Sequence, residues 1–155
     1  MQAIQTCSDT PRPDRSYIKM PTPAQLKKLK AAAKTAAGRA YAPYSRFTVG
    51  AAILASSGKI YSGCNVENAS YGLTNCAERT AIFNAVAAGE KKLKLKCVVV
   101  YTPTDMPTAP CGACRQVINE FGPDARILSI CRGRGHISSS THELLPGAFG
   151  PADLA

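Results

Sequence analysis

At 155 residues, 45% of them apolar, the chain suits one domain and can bury a core without cross-links. Seven cysteines are an odd number, and no apolar segment opens the chain; both argue against a secreted disulfide scaffold and for a reduced, cytoplasmic protein. No apolar run approaches ~18 residues, so no membrane span is expected. The formal charge of +9 raises the question of a nucleic-acid partner, but the lysines read as solvated faces. Lys27, Lys28, Lys30 and Lys34 ring the polar side of one predicted helix, and Lys91, Lys92, Lys94 and Lys96 precede a strand. Neither group is interleaved with the aromatic side chains that single-strand stacking requires, so no nucleic acid is expected.

Residues 1–20 are polar and broken by Pro11 and Pro13, and read as a flexible N-terminal arm; 21–155 read as a single domain. The first helix has its start written out: Thr22 as cap, Pro23 at the first helical position and Gln25 closing a capping box. Leu26, Leu29, Ala33, Ala36 and Ala37 form its apolar stripe, and Gly38 is its stop. After the turn-rich Tyr41-Ala42-Pro43-Tyr44-Ser45, residues Phe47 to Ala55 read as a buried strand. Ser57-Gly58 signals a hairpin, and Lys59 to Cys64 returns as a second strand. Asn65-Val66-Glu67-Asn68 at its end reads equally as a polar loop or as pocket wall.

A second helix is expected from about Cys76 to Ala88, burying Ala77, Ala81, Ile82, Ala85 and Val86 and stopping at Gly89. Lys96 to Tyr101 is continuously apolar at Val98-Val99-Val100, as a central strand covered on both faces would be. A proline-rich loop, Thr102 to Pro110, leads to a third helix, about Cys111 to Phe121, closed by Gly122-Pro123. Arg126 to Ile130 is a further strand and His136 to Ser140 an edge strand; 131–142, rich in Arg, Gly and Ser, reads as a surface hairpin. The order of elements implies an α/β fold with a mixed sheet between helices. Both cysteine segments follow a strand and open a helix, at the strand ends where such sheets bind ligands.

Those segments carry the chemistry. Cys111 and Cys114 are three apart, which places them on one face of a helical turn. With Cys76 they make three candidate thiolate ligands, a set that suits Zn2+ and, lacking a fourth protein ligand, suits a catalytic site with an open position. Three thiolates leave zinc with net negative charge, which opposes acidifying a bound water; two helix N-termini aimed at the ion would offset it. Arg79, one turn after Cys76, is placed to donate to a thiolate from outside the ligand set. Glu78, two residues from Cys76 at a helix start, can reach the same point and act as general base and then general acid. The rival is a closed structural knuckle with Cys131, Cys97, Cys64 or Cys7 as fourth ligand, a basic zinc module that would leave Glu78 without a task. Cys64 and Cys97, at strand ends, read instead as small buried hydrophobes.

On these residues the chain resembles the cytidine deaminases of the small, homotetrameric, zinc-dependent type. The likeness spans roughly residues 22 to 154. Cys76-Ala77-Glu78-Arg79 and Pro110-Cys111-Gly112-Ala113-Cys114-Arg115-Gln116 mark the superfamily; Asn65-Val66-Glu67-Asn68 and Phe149-Gly150-Pro151 mark its nucleoside branch. The resemblance implies a three-layer α/β/α cytidine-deaminase-like fold with a mixed sheet of about five strands. It implies one Zn2+ per subunit on Cys76, Cys111 and Cys114, with Glu78 shuttling protons. It implies that Asn65 and Glu67 bind the ribose 3′-hydroxyl, that Phe47 and the Ala77 backbone meet the base, and that Tyr71 and Phe149 reach into a neighbouring subunit's site. The implied reaction is hydrolysis of cytidine and 2′-deoxycytidine to the uridines and ammonia in pyrimidine salvage, with a free small-molecule nucleoside as the substrate. Arg46, Thr48 and Ala109 replace a frequent His, Pro and Ser. A modified cytosine nucleoside or nucleoside antibiotic is therefore the alternative substrate.

Overall fold

In the computed structural model, which describes residues 20–154, the first helix forms as its signals dictate. α1 (Pro23–Ala37) carries the full capping box: the Thr22 hydroxyl accepts from the Gln25 amide, and the Gln25 side chain accepts from the Thr22 amide. The arm read over residues 1–20 lies outside the described residues except for Met20, as does Cys7.

Five strands follow: β1 (Gly50–Ala55), β2 (Ile60–Cys64), β3 (Leu95–Thr102), β4 (Arg126–Cys131) and β5 (His136–Ser140). They form one mixed sheet ordered β2-β1-β3-β4-β5, parallel only between β3 and β4. β3, the longest strand, is its centre. α2 (Ala77–Ala87) and α3 (Gly112–Phe121) lie on the face opposite α1.

Alternation along β1 separates the two cores. Ala51, Ile53 and Ala55 meet α2 and α3, with Ala81, Ile82, Val98, Val100 and Ile118. Ala52 and Leu54 meet α1, with Leu29, Ala33, Cys97 and Val99. Two glycines set the spacing of these layers. A Cβ on Gly50 would lie 2.0 Å from the Ala33 carbonyl oxygen of α1, and one on Gly63 2.4 Å from the Ala81 amide nitrogen of α2. Backbone cannot yield there as a side-chain tip can. No helix of the described residues is long and apolar enough to cross a membrane.

Three expectations need correcting. The strand expected from Phe47 begins at Gly50, because residues 47–49 are bonded by the Asn65 side chain instead of by a neighbouring strand. Val86 is not buried: with Phe83 it is about half exposed, since α2 is apolar on more of its circumference than the sheet covers. The segment 131–142 ends in a helical turn, α4 (Thr141–Leu144), started by a second capping box between Ser140 and Glu143. The rest of it is the expected hairpin joining β4 to β5.

Candidate active site

The two cysteine segments meet because β2 and β3 flank β1 and both end beside its start, and each chain end then leads towards a helix start, α2 after β2 and α3 after β3. Cys76 is the N-cap of α2 and Cys111 the N-cap of α3; Cys114 lies in the first turn of α3, fully buried. The three sulfurs lie within 4.8 Å of one another, and Cys76 Sγ is 3.8 Å from Cys111 Sγ. Disulfide sulfurs would be about 2.05 Å apart, so these thiols are unbonded. Tetrahedral zinc with Zn–S of about 2.3 Å separates its sulfurs by about 3.8 Å, and the sulfur set fits such an ion. Neither cysteine caps its helix through the side chain, so both helices direct unpaired amides and positive dipole ends at the cluster.

The electrostatics agree. Cys76 is pulled down to about 5, first by a hydrogen bond from the Cys114 thiol and then by the Arg79 guanidinium. Arg79 Nη2 is 3.5 Å from Cys76 Sγ and 3.3 Å from the Thr74 carbonyl that also holds it. Its Nε is buried with no partner among the described residues, a spare donor beside an anionic cluster. Cys114 is pushed up, first by its bond to Cys76 and then by burial. The surroundings thus favour negative charge on Cys76, next to the arginine, and disfavour it on Cys114.

Glu78, in the first turn of α2, is 4% exposed. Burial raises its carboxyl above the ordinary range, and the Cys76 thiolate adds to this. It lines a cavity of about 250 Å³ with Cys76, Ala77 and Cys111 at one end and Phe47, Val49, Asn65, Glu67, Val100, Thr102, Thr108 and Ala109 as walls. A concave, mostly apolar pocket with a few convergent polar groups and a shifted carboxyl is a functional-site arrangement.

The Asn65-Val66-Glu67 stretch is pocket wall. Asn65 Oδ1 accepts from the Val49 amide and Nδ2 donates to the Phe47 carbonyl, both at 2.8 Å, so Asn65 fixes the backbone that presents Phe47. Glu67 accepts from the amides of Tyr44 (2.9 Å) and Ser45 (3.2 Å) and from the Ser45 hydroxyl. That hydroxyl bond is the first cause holding Glu67 below the ordinary carboxylate range. Asn65→Ala would leave the Val49 N–H and Phe47 C=O unpaired at a cost of about 1–3 kcal/mol each. The expected result is a lower Tm together with a raised KM; an unchanged KM would detach Asn65 from the pocket.

Not every expected site residue lies in this cavity. Cys114 and Arg79 stand behind it. Tyr71 is 75% exposed and lines an adjoining depression with Tyr44, Ser45, Glu67 and Thr74; its ring centroid is 6.1 Å from that of Tyr44. Phe149 is exposed too, its carbonyl accepting from Gln116 Nε2 of α3. The proposed fourth ligands are elsewhere: Cys131 donates to the carbonyls of Asp105 and Gly135, Cys64 to that of Arg39, and Cys97 lies in the α1 core.

Two residues went unassigned in the sequence reading. Arg115 donates through Nε to the Pro110 carbonyl at 2.7 Å and through Nη1 to the Leu144 carbonyl at 3.0 Å, joining the cysteine loop to the C-terminal segment. Ser45 anchors Glu67. Both sit inside motifs already singled out, which was the available signal.

Comparison with known proteins agrees with this geometry. Residues 23–130 match the family model described as the cytidine and deoxycytidylate deaminase zinc-binding region. The chain belongs to that family. It is 50% identical over 131 residues to a cytidine deaminase of Sporosarcina psychrophila, covering 84% of this chain and 95% of that protein. It is 49% identical over 130 residues to a probable cytidine deaminase of Dictyostelium discoideum, 84% and 87% covered. The crystal structure of cytidine deaminase from Burkholderia pseudomallei superposes with a TM-score of 0.73 at 49% identity, covering 79% of this chain and 98% of that one. The three-layer fold and mixed five-stranded sheet expected from the sequence are those of the family.

Proposed function

We infer that the protein hydrolyses cytidine and 2′-deoxycytidine to uridine and 2′-deoxyuridine, releasing ammonia, in pyrimidine salvage in the cytoplasm. The observation that carries the reading is the juxtaposition of three converging thiols, two of them lining a cavity of about 250 Å³, with a buried carboxyl that lines the same cavity.

Zinc held by Cys76, Cys111 and Cys114 supplies a Lewis acid that makes water nucleophilic near neutral pH. The chain's own residues do the rest. Glu78 takes a proton from the attacking water and passes it to the ring nitrogen, then takes the proton of the hydroxyl added to the ring carbon and delivers it to the departing amino group, so water and cytidine leave as uridine and NH3. Its burial supports this role, because a carboxyl raised above its ordinary range can hold a proton between steps. Arg79 and the two helix starts offset the negative charge of the thiolates. Phe47, Val49 and Val100 exclude water around the base, whose edge meets the backbone at Ala77 and Ala109. Asn65 and Glu67 lie where the cavity opens towards the Tyr71 depression, a position suited to the ribose 3′-hydroxyl. Purified protein should release ammonia from both nucleosides and reject 3′-deoxycytidine strongly, because the hydroxyl that Asn65 and Glu67 would bind is then missing. Equal turnover of the 3′-deoxy compound would remove Asn65 and Glu67 from substrate recognition.

The same reading includes a homotetramer with shared active sites. Phe83 and Val86 on α2, Tyr71 in the depression adjoining the cavity, and Leu73 and Phe149 are exposed apolar groups that a neighbouring copy would cover. Light scattering should give four chains per particle, and Tyr71→Ala and Phe149→Ala should raise KM. A fully active monomer would contradict shared sites.

A further inference from the structure

α1 covers β1 and β3 but stops short of β4 and β5, and the uncovered part of that sheet face is a cleft of about 420 Å³, on the far side of the sheet from the thiol cluster. Its rim is basic: Lys30 and Lys34 from α1, Arg126 from β4, and Arg134 and His136 from the β4–β5 hairpin. Among the described residues no carboxylate lines it, and none of these four Lys and Arg residues has an ion-pair partner within 4 Å. Its floor is apolar, formed by Leu26, Leu128 and Ile130.

The rim is partly ordered in advance. Lys34 Nζ stands 5.6 Å from the centroid of the Tyr101 ring, and Arg126 Nη2 donates to Ser138 Oγ at 2.8 Å. The hairpin divides its two arginines between two tasks. Arg132 pairs with Asp105 at 2.9 Å, and its amide and that of Gly133 donate to the Thr104 carbonyl. A Cβ on Gly133 would come within 2.4 Å of the Asp105 carbonyl oxygen, so glycine is what lets the hairpin lie flat on that loop. Arg134 then turns into the cleft. The run Arg132-Gly133-Arg134-Gly135-His136, which the deamination chemistry does not use, thus builds one wall of it.

We propose that this cleft binds a nucleoside di- or triphosphate, its phosphates on Lys30, Lys34, Arg126 and Arg134 and its ring system on the apolar floor. Four cations facing a cavity without a counter-charge match the three or four negative charges of such a chain. The apolar floor distinguishes this ligand from bare phosphate, and the lack of Phe, Tyr or Trp among the described lining residues, on which successive bases would stack, distinguishes it from a single-stranded polymer.

The test uses ATP as probe, since its purine is not the base of the deamination substrate. Calorimetric titration of zinc-loaded full-length protein with ATP should show one site per chain. Lys30→Glu and Arg134→Glu should each weaken it about tenfold or more, with cytidine turnover unchanged. Adenosine should not bind measurably, and inorganic triphosphate should bind more weakly than ATP. Absence of saturable ATP binding, or binding indifferent to both substitutions, would overturn the proposal. So would triphosphate binding as tightly as ATP, which would leave the floor without a role. Tighter binding of a single-stranded RNA oligomer lost in the same two variants would assign the cleft to nucleic acid instead. Because turnover is read separately, failure here leaves the deaminase reading untouched.

Discussion

Glu78→Ala is expected to yield a folded protein that keeps its zinc and releases ammonia from cytidine about 10²- to 10⁴-fold more slowly, or less. The argument starts from position. Glu78 sits in the first turn of α2, two residues from Cys76, so its carboxyl reaches the cavity without belonging to the sulfur set. Removing it takes away the proton carrier and leaves all three thiols in place. Its environment sharpens the expectation. The carboxyl is buried and lies beside the Cys76 thiolate, and both raise it. An acid raised in the fold is a net cost to the folded state once pH exceeds its unfolded value, so alanine should leave Tm unchanged or higher. A loss of turnover with a fall in Tm and in bound zinc would instead make Glu78 a structural support. Glu78→Gln separates shape from proton transfer, and should be as inactive as the alanine variant.

Removal of zinc by a chelator should abolish turnover, and stoichiometric zinc should restore it. The stability effect should also be large. Three thiols brought within 4.8 Å, one of them fully buried and reluctant to ionise, are held together at electrostatic cost when no cation is present. A ligand at a thousand times its Kd contributes about 4.1 kcal/mol to the folded state, which corresponds to a loss of roughly 8–16 °C in Tm on removal. Cys114→Ala should mimic removal, since it deletes the ligand inside the α3 turn. Cys131→Ser should keep both zinc and activity, because that thiol bonds the Asp105 and Gly135 carbonyls on the other side of the β3–α3 loop. Zinc loss from Cys131→Ser would revive the closed four-cysteine site.

Local signals carried much of the structure. The Thr22 capping box placed α1, the Val98-Val99-Val100 run marked the central strand, and the cysteine spacings placed both helix starts at the cluster to within one residue. What was illegible depended on contacts distant in sequence. Phe47 to Val49 has a strand's composition, but the Asn65 side chain takes the bonds a strand partner would make. Val86 has a core residue's chemistry, yet the packing of α2 on the sheet leaves it half exposed, which helical periodicity alone does not encode. α4 was legible in Ser140-Thr141-His142-Glu143 and was passed over because an Arg-, Gly- and Ser-rich hairpin runs into it. At the site, residue types identified the sulfurs and the acid. The roles of Ser45 and Arg115 lie in bonds to backbone and side-chain groups 22 and 29 residues away.

The most direct measurement is a zinc titration of metal-stripped parent and Glu78→Ala proteins, following ammonia release from cytidine and bound zinc together. The account predicts parent activity that rises in proportion to bound zinc and levels off at one ion per chain, with the variant binding equally and staying silent. A parent holding one zinc per chain without releasing ammonia, or a variant as active as the parent, would contradict it.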